Sequence, residues 1–315
     1  MTSSPRILLC DHRGNGLARK TAFLAEKGYE VGASDSLRQS LAQLQEDPPE
    51  LILLETLSGD GTVELQAIDR ARESKPAVPL LVVMAEGDGE ALLRADRTLT
   101  VPLWDVVFSD ATPDEYRLRI ERLLAQAKLQ REMSELRHRA SHDDRTDLLR
   151  PAAFEARLKE HFSASQRHKL DMALVLMDLD RFGSINKRYD HTVGDDIISR
   201  VGEVIRAALR AEDVAGRLGG DEFAVLLPYT RKLAAAGVVK RLREEIKKLA
   251  FQPEGTTEPF HVSTSIGFET FDGKEELDLQ TLRRHAEKAL RASKRQGGDR
   301  GLYYRSLPEA AEAAS

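Results

Sequence analysis

The sequence holds a single cysteine, Cys10. One thiol makes neither an internal disulfide nor a thiolate metal cluster, which excludes disulfide-framed secreted classes and fits a reducing compartment. Cys10 itself reads as a small buried apolar residue. Long apolar runs are also missing: runs such as 51–54 and 78–84 fall far short of the roughly 20 residues a membrane-spanning helix needs. The first residues lack the pattern of a secretory signal. A cytoplasmic protein with no membrane contact is expected. Positive charge is not in excess either, since 47 Lys and Arg against 52 Asp and Glu leave a formal net charge of -5. That balance gives no general attraction for nucleic acid, and none is expected as a partner. The local basic groups at 137–139 and 294–300 read most simply as solvated helix faces.

What is present is chain enough for about two ordinary domains, with 41% hydrophobic and 31% charged residues over 315 positions. In residues 1–112, short apolar runs at 6–10, 50–54 and 79–84 alternate with helical patterns at 16–27 and 63–73. Strands with no polar side suit a parallel sheet covered on both faces, so a doubly wound α/β domain is expected. Thr112, Pro113, Asp114 and Glu115 then open a helix: a hydroxyl cap, a proline where the first-turn N–H is unneeded, and acids at the positive end. This connecting helix should run over 113–142. Tyr116, Ile120, Leu123 and Ala127 keep coiled-coil spacing, and Leu129, Met133, Leu136 and Ala140 continue on an offset seam, as at a stutter. The helix either pairs with a second copy or packs on its own domain.

From 143 a second alternation begins. Helices are expected at 152–162, 194–209, 232–250 and 279–295, strands at 172–177 and 261–268, a hairpin at 215–227, and a flexible tail at 307–315. Gly219 and Gly220 tolerate the positive φ angles that a hairpin turn demands, which lifts Asp221 and Glu222 to a strand tip. Asp178 and Asp180 stand where another apolar strand ends. Carboxylates gathered in this way repel one another unless a cation neutralises them, and an all-oxygen ligand set suits magnesium. Metal-assisted phosphate chemistry follows.

The spelling of these segments carries a resemblance. Asp143-Asp144-Arg145-Thr146, Met177-Asp178-Leu179-Asp180-Arg181-Phe182, Asn186 with 191–195, Arg217-Leu218-Gly219-Gly220-Asp221-Glu222-Phe223, 262–267 and 286–294 stand in an order that resembles the GGDEF diguanylate cyclase family. The resemblance implies an α+β, palm-like nucleotidyl cyclase domain over 143–306 that condenses two GTP into cyclic di-GMP and two pyrophosphates as a homodimer. It implies that Asp178, Asp221 and Glu222, with the carbonyl of Leu179, bind two magnesium or manganese ions, and that Asp221 or Glu222 helps deprotonate the attacking 3'-hydroxyl. Asn186 and Asp195 would read guanine, since an amide and a carboxylate can pair with its O6 acceptor and its N1 and N2 donors. The backbone amides of Arg181, Phe182 and Gly183 and the side chain of Lys294 would hold the triphosphate. Arg210 and Asp213, with Arg241 from the next helix, match the family's inhibitory site for cyclic di-GMP; the alternative is an ordinary surface ion pair.

The chain also departs from the family's pattern. Gly298 stands where an arginine is usual, Gly183 where a lysine is common, Asp190 where a glycine precedes the histidine, and Arg145 where a leucine is usual; Arg150-Pro151 replaces Asn-Arg. Each lost charge-assisted phosphate contact costs about 1.5 to 3 kcal/mol, so weak GTP affinity is expected, and Arg295 or Arg300 is the nearest substitute. No metal ligand is lost. The alternative function is a catalytically silent cyclic di-GMP receptor.

Residues 5–125 resemble a response-regulator receiver, a flavodoxin-like fold with its chemistry at the carboxyl ends of the strands. Glu55 stands at the phosphoacceptor aspartate, the acidic pair is reduced to Asp11, Met84 or Ala85 takes the switch hydroxyl position, and Ser109 takes that of the lysine. Such a pseudo-receiver should not accept phosphate. Glu55 imitates the phosphorylated state by its extra length, or the domain is a plain dimerisation module.

Overall fold

The structure is a computed structural model that describes residues 4–12, 17–55, 62–73, 78–85, 89–308 and 310. The chain divides into two compact units, Met1–Leu136 and Arg137–Ser315.

The N-terminal unit runs β1 (Arg6–Cys10), α1 (Leu17–Glu26), β2 (Glu30–Ser34), α2 (Leu37–Glu46), β3 (Leu51–Glu55), α3 (Thr62–Glu73), β4 (Leu80–Met84), α4 (Gly89–Thr98), β5 (Trp104–Phe108) and most of α5 (Pro113–Ser141). Its five strands are parallel in the order β2-β1-β3-β4-β5. Alternate side chains leave a strand on opposite faces. Ile7, Leu9, Leu51, Leu53, Leu81 and Val83 therefore meet Leu24 of α1 and Ile120 and Leu123 of α5. Leu8, Cys10, Ile52, Leu54, Leu80 and Val82 meet Leu44, Leu65 and Ala95 of α2, α3 and α4. Both faces are covered, as the unbroken apolar runs require. Cys10 is buried, and burial pushes its thiol pKa up to about 11.

Two strands, β2 and β5, carry no such run. They are the sheet's edges, where only Ser34 and Val107 are fully buried, so their sequences mix polar and apolar residues. Residue 16, the expected start of the first helix, lies outside the described residues. In α5 the two seams separate: Ile120, Leu123 and Ala127 are buried, with the first two spent on the unit's own core. Of the two alternatives for the first seam, packing on its own domain holds for Tyr116, Ile120 and Leu123. Leu129, Met133 and Leu136 remain 58%, 44% and 62% exposed.

The C-terminal unit contains α6 (Pro151–His168), β6 (Met172–Leu179), α7 (Phe182–Tyr189), α8 (His191–Ala208), β7 (Val214–Gly219), β8 (Glu222–Pro228), α9 (Lys232–Lys248), β9 (Ala250–Phe251), β10 (Phe260–His261), β11 (Thr264–Phe271), α10 (Leu279–Arg295) and β12 (Arg300–Tyr303). The main sheet has the order β12-β11-β6-β8-β7, and β9 and β10 form a separate ribbon. Strand β6 lies at its centre, antiparallel to both β11 and β8. Ala173, Val175, Met177 and Phe223 pack against Ile197 and Val201 of α8 and Val239 and Leu242 of α9. The other face, with Leu174, Leu176, Ala224 and Leu226, packs against Phe154 and Leu158 of α6 and Leu282 and Ala286 of α10. Leu307 packs on Ala289 and Ala292, while 309 and 311–315 of the expected tail lie outside the described residues. Among the described residues, no helix is long and apolar enough to cross a membrane.

Candidate active site at the tips of β6 and β8

The two-residue period of β6 decides where its last carboxylate goes. Leu174 and Leu176 face α10, so Asp178 does as well. The antiparallel register sets Glu222 directly opposite Asp178, on the face shared with Ala224 and Leu226. Between β7 and β8, Gly219 and Gly220 have φ angles of +154° and +52°, conformations that cost a side-chain-bearing residue strain. The Asp221 carbonyl accepts from the Leu179 amide at 3.3 Å, which fastens the turn to the end of β6.

Arg217 secures the same turn from outside. Its Nε and Nη2 donate to the Gly220 carbonyl at 3.0 and 2.8 Å, and its Nη1 reaches both Asp143 oxygens at 3.1 and 3.2 Å. Asp143 also accepts from the amide and hydroxyl of Thr146 at 3.1 and 2.8 Å. The unit's opening motif is thereby bonded to the hairpin that carries Asp221 and Glu222.

Asp178 is 6% exposed. Burial pushes its carboxyl pKa above the usual range, Asp221 and Glu222 push the same way, and Lys294 of α10 opposes them. The Lys294 ammonium is paired with the Asp178 carboxylate. Among the described residues, no group of three or more His, Cys, Asp or Glu side chains stands close enough to hold a metal ion. The donor chemistry nevertheless fits a hard divalent cation: carboxylate and carbonyl oxygens only, crowded by like charge, with an ammonium drawn to the most buried of them. A cavity of about 350 Å³ beside them is lined by Glu222, Leu290, Arg291 and Lys294.

Of the residues expected to meet the nucleotide, Phe182, Gly183 and Asn186 lie on α7, Asp195 on α8 and Lys294 on α10. Asn186 Oδ1 is buried without a hydrogen-bond partner. A Cβ at position 194 would fall 2.0 Å from that oxygen, so only glycine lets α8 approach it. The next residue, Asp195, is paired with Arg145 at 2.9 Å. Phe182 is buried, whereas a Cβ at Gly183 would meet nothing within 4 Å. Asp190 adopts φ +79° and caps α8 by accepting from Thr192 and Val193 amides at 2.7 and 3.2 Å; the positive φ explains why a glycine also suits this position.

Asp180 ties three segments together, accepting from the Ser263 and Ser265 hydroxyls at 2.6 Å each and from the Asp299 amide at 2.8 Å. Gly298 has φ +77°, and a Cβ there would sit 2.8 Å from the Asp180 carboxyl. Arg300 donates to the Gly298 carbonyl at 3.2 Å and to Gln296 at 2.9 Å.

Residues 140–300, half of the chain, match the family described as diguanylate cyclase, GGDEF domain. The chain belongs to this GGDEF family. It is 36% identical over 179 residues to the diguanylate cyclase TpbB of Pseudomonas aeruginosa, a match covering 56% of this chain and 40% of that protein. It is 30% identical over 198 residues to diguanylate cyclase A of Treponema denticola, covering 61% and 52%. The chain thus matches about half or less of each of these relatives. Among solved structures, the coiled coil and GGDEF domain of DgcB from Caulobacter crescentus in complex with c-di-GMP is similar at a TM-score of 0.55 and 25% identity, covering 61% of this chain and all of that one.

A second group of expected residues in the GGDEF unit also comes together. The Arg210 amide donates to Asp213 at 3.0 Å, and Arg241 donates to the Ala208 carbonyl. Burial pushes the Asp213 carboxyl pKa up, while Arg210 and Arg241 both pull it down; both guanidiniums therefore lie within electrostatic reach of it.

In the N-terminal unit, Glu55 ends β3 buried and paired with Lys20 of α1. Burial pushes its pKa above the usual carboxylate range, against Lys20 and with Asp11. Sequence reasoning found Ser109 in place of a lysine and missed Lys20, which reaches Glu55 from another element. It also missed the pairing of Arg145 with Asp195. The one available signal was Arg145's departure from the family's leucine.

Proposed function

We propose that the chain is a diguanylate cyclase that condenses two GTP into cyclic di-GMP and two pyrophosphates. The observation that carries this reading is the placement of Asp178 and Glu222 opposite each other on one sheet face, beside the Asp221 turn and Lys294. Asp178, Asp221, Glu222 and the Leu179 carbonyl would hold two magnesium or manganese ions. Such ions, when bound, increase the acidity of an attacking hydroxyl and neutralise phosphate charge. The protein's own groups do the rest. Asn186 and Asp195 orient guanine, the amides of residues 181–183 and the Lys294 ammonium hold phosphate oxygens, and Asp221 or Glu222 accepts the 3'-hydroxyl proton. In each half-reaction a new 3'-oxygen to α-phosphorus bond forms as the α–β bridging bond breaks and pyrophosphate leaves. Each bound GTP supplies one hydroxyl and one α-phosphate, so two copies must face one another. The exposed seam of Leu129, Met133 and Leu136 supports a homodimer, and the Arg210, Asp213 and Arg241 group supports product inhibition by cyclic di-GMP.

The N-terminal unit fits a pseudo-receiver: its strand order is the flavodoxin-like one, and Glu55 is already neutralised by Lys20 where a phosphoacceptor would stand. A second reading, a silent cyclic di-GMP receptor, is favoured by one observation, that Gly298 takes the place of the expected phosphate arginine and Arg300 is engaged by the Gly298 carbonyl and Gln296. Pyrophosphate release separates the two. The cyclase reading predicts release from GTP that exceeds release from ATP and whose specific rate falls on dilution; tight cyclic di-GMP binding without any release would establish the receptor.

A further inference from the structure

The Asp195 carboxylate, which the proposed function assigns to guanine, already has a cationic partner. Arg145 Nη2 lies 2.9 Å from Asp195 Oδ2, with the two side chains 52% and 47% exposed. The backbone that delivers this guanidinium is fixed. Its neighbour Thr146 is 1% exposed and bonded to Asp143, and a Cβ at Gly202 of α8 would come within 2.7 Å of the Thr146 side chain. The segment that carries Arg145 is therefore packed on α8 at Gly202, about two turns along that helix from Asp195. The adjacent carboxylate, Asp144, is engaged by Arg150 at 3.0 Å.

A guanidinium is always charged and offers N–H donors without any acceptor. The N1–H and N2–H edge of guanine offers donors in the same sense. Both therefore seek the same oxygens of Asp195, and the second acceptor of the site, Asn186 Oδ1, has no partner. We propose that Arg145 is a built-in competitor for the base, so that GTP binds only as the Arg145–Asp195 pair opens. The residue lowers affinity for GTP through Asp195, without touching the phosphates or the reacting atoms. This inference rests on the guanine-reading role of Asp195. A half-exposed ion pair is worth at most about 1 kcal/mol, so the competition weakens binding roughly two- to fivefold and does not block it.

The test uses the full chain and 3'-deoxy-GTP, which lacks the attacking hydroxyl and cannot be cyclised, with its dissociation constant measured by calorimetry. Arg145→Leu should tighten binding about two- to fivefold, and Arg145→Lys should fall between Leu and the native residue. In an Asp195→Asn background Arg145→Leu should change nothing, since the competitor has lost its target; a merely structural role would persist in that background. Unchanged or weaker binding by Arg145→Leu alone would overturn the competitor role. The underlying reading fails separately: if Asp195→Asn leaves the preference for GTP over inosine triphosphate intact, Asp195 does not read the guanine amino group, and the competitor role falls with it.

Discussion

Two glycines that depart from the family's spelling are physically unlike, and their substitutions should behave differently. Gly183 faces open space without a positive φ, so Gly183→Lys fits and adds an ammonium near the proposed triphosphate site; the KM for GTP should fall, by about tenfold if a full charge-assisted contact forms. Gly298 is at φ +77° against the Asp180 carboxyl. Gly298→Arg should therefore not restore a phosphate contact and should cost about 1 to 2 kcal/mol of stability from the backbone alone, measurable by urea unfolding. A second residue-scale prediction concerns pH. Burial raises the Glu55 carboxyl pKa, so the folded state binds that proton more tightly than the unfolded chain. The contribution is present at low pH and lost as pH rises through the raised folded value. Glu55→Gln, which does not titrate, should gain stability relative to the native protein as pH increases from about 4 to 7. A constant difference across that range would contradict the raised pKa.

At the scale of elements, legibility followed burial. Strands β1, β3 and β4 were readable because both of their faces are covered, which forces unbroken apolar runs; β2 and β5 were not, because edge strands keep polar residues. Helix α10 matched its expected span residue for residue, since Asp278 caps it, accepting from the Thr281 amide at 2.6 Å. The carboxylate pair at Asp178 and Glu222 was legible from strand period and the glycine turn. Lys20 and Arg145 were not, because each meets its partner 35 and 50 residues away in sequence, Lys20 with Glu55 and Arg145 with Asp195, through packing that no local pattern encodes. The α5 helix showed both cases at once. Its spacing suggested two seams, and only the fold revealed that Ile120 and Leu123 are consumed by the core beneath the sheet. Leu129→Glu with Leu136→Glu should therefore convert a dimer to a monomer by light scattering and lower specific activity by about an order of magnitude. The unfolding of the N-terminal unit should be unaffected, because both side chains are solvent-exposed; loss of that unit's stability instead would assign the seam to its own core.

For the whole molecule, a parallel α/β unit and a GGDEF unit share one continuous helix, α5, whose sequence lies across the division between them. Within the GGDEF unit, the residues just beyond that helix, Asp143 and Thr146, are bonded through Arg217 to the turn bearing Asp221 and Glu222. A change in how the helix ends thus has a bonded route to the proposed catalytic carboxylates. The central claim is that these carboxylates serve cyclisation of GTP. It is tested most directly by incubating the full chain with GTP and Mg²⁺ and identifying the nucleotide products by mass, alongside Glu222→Gln. The account predicts cyclic di-GMP with two pyrophosphates for each molecule formed, and none from the variant. GTP left intact by the native protein, or a linear product equal in both samples, would contradict it.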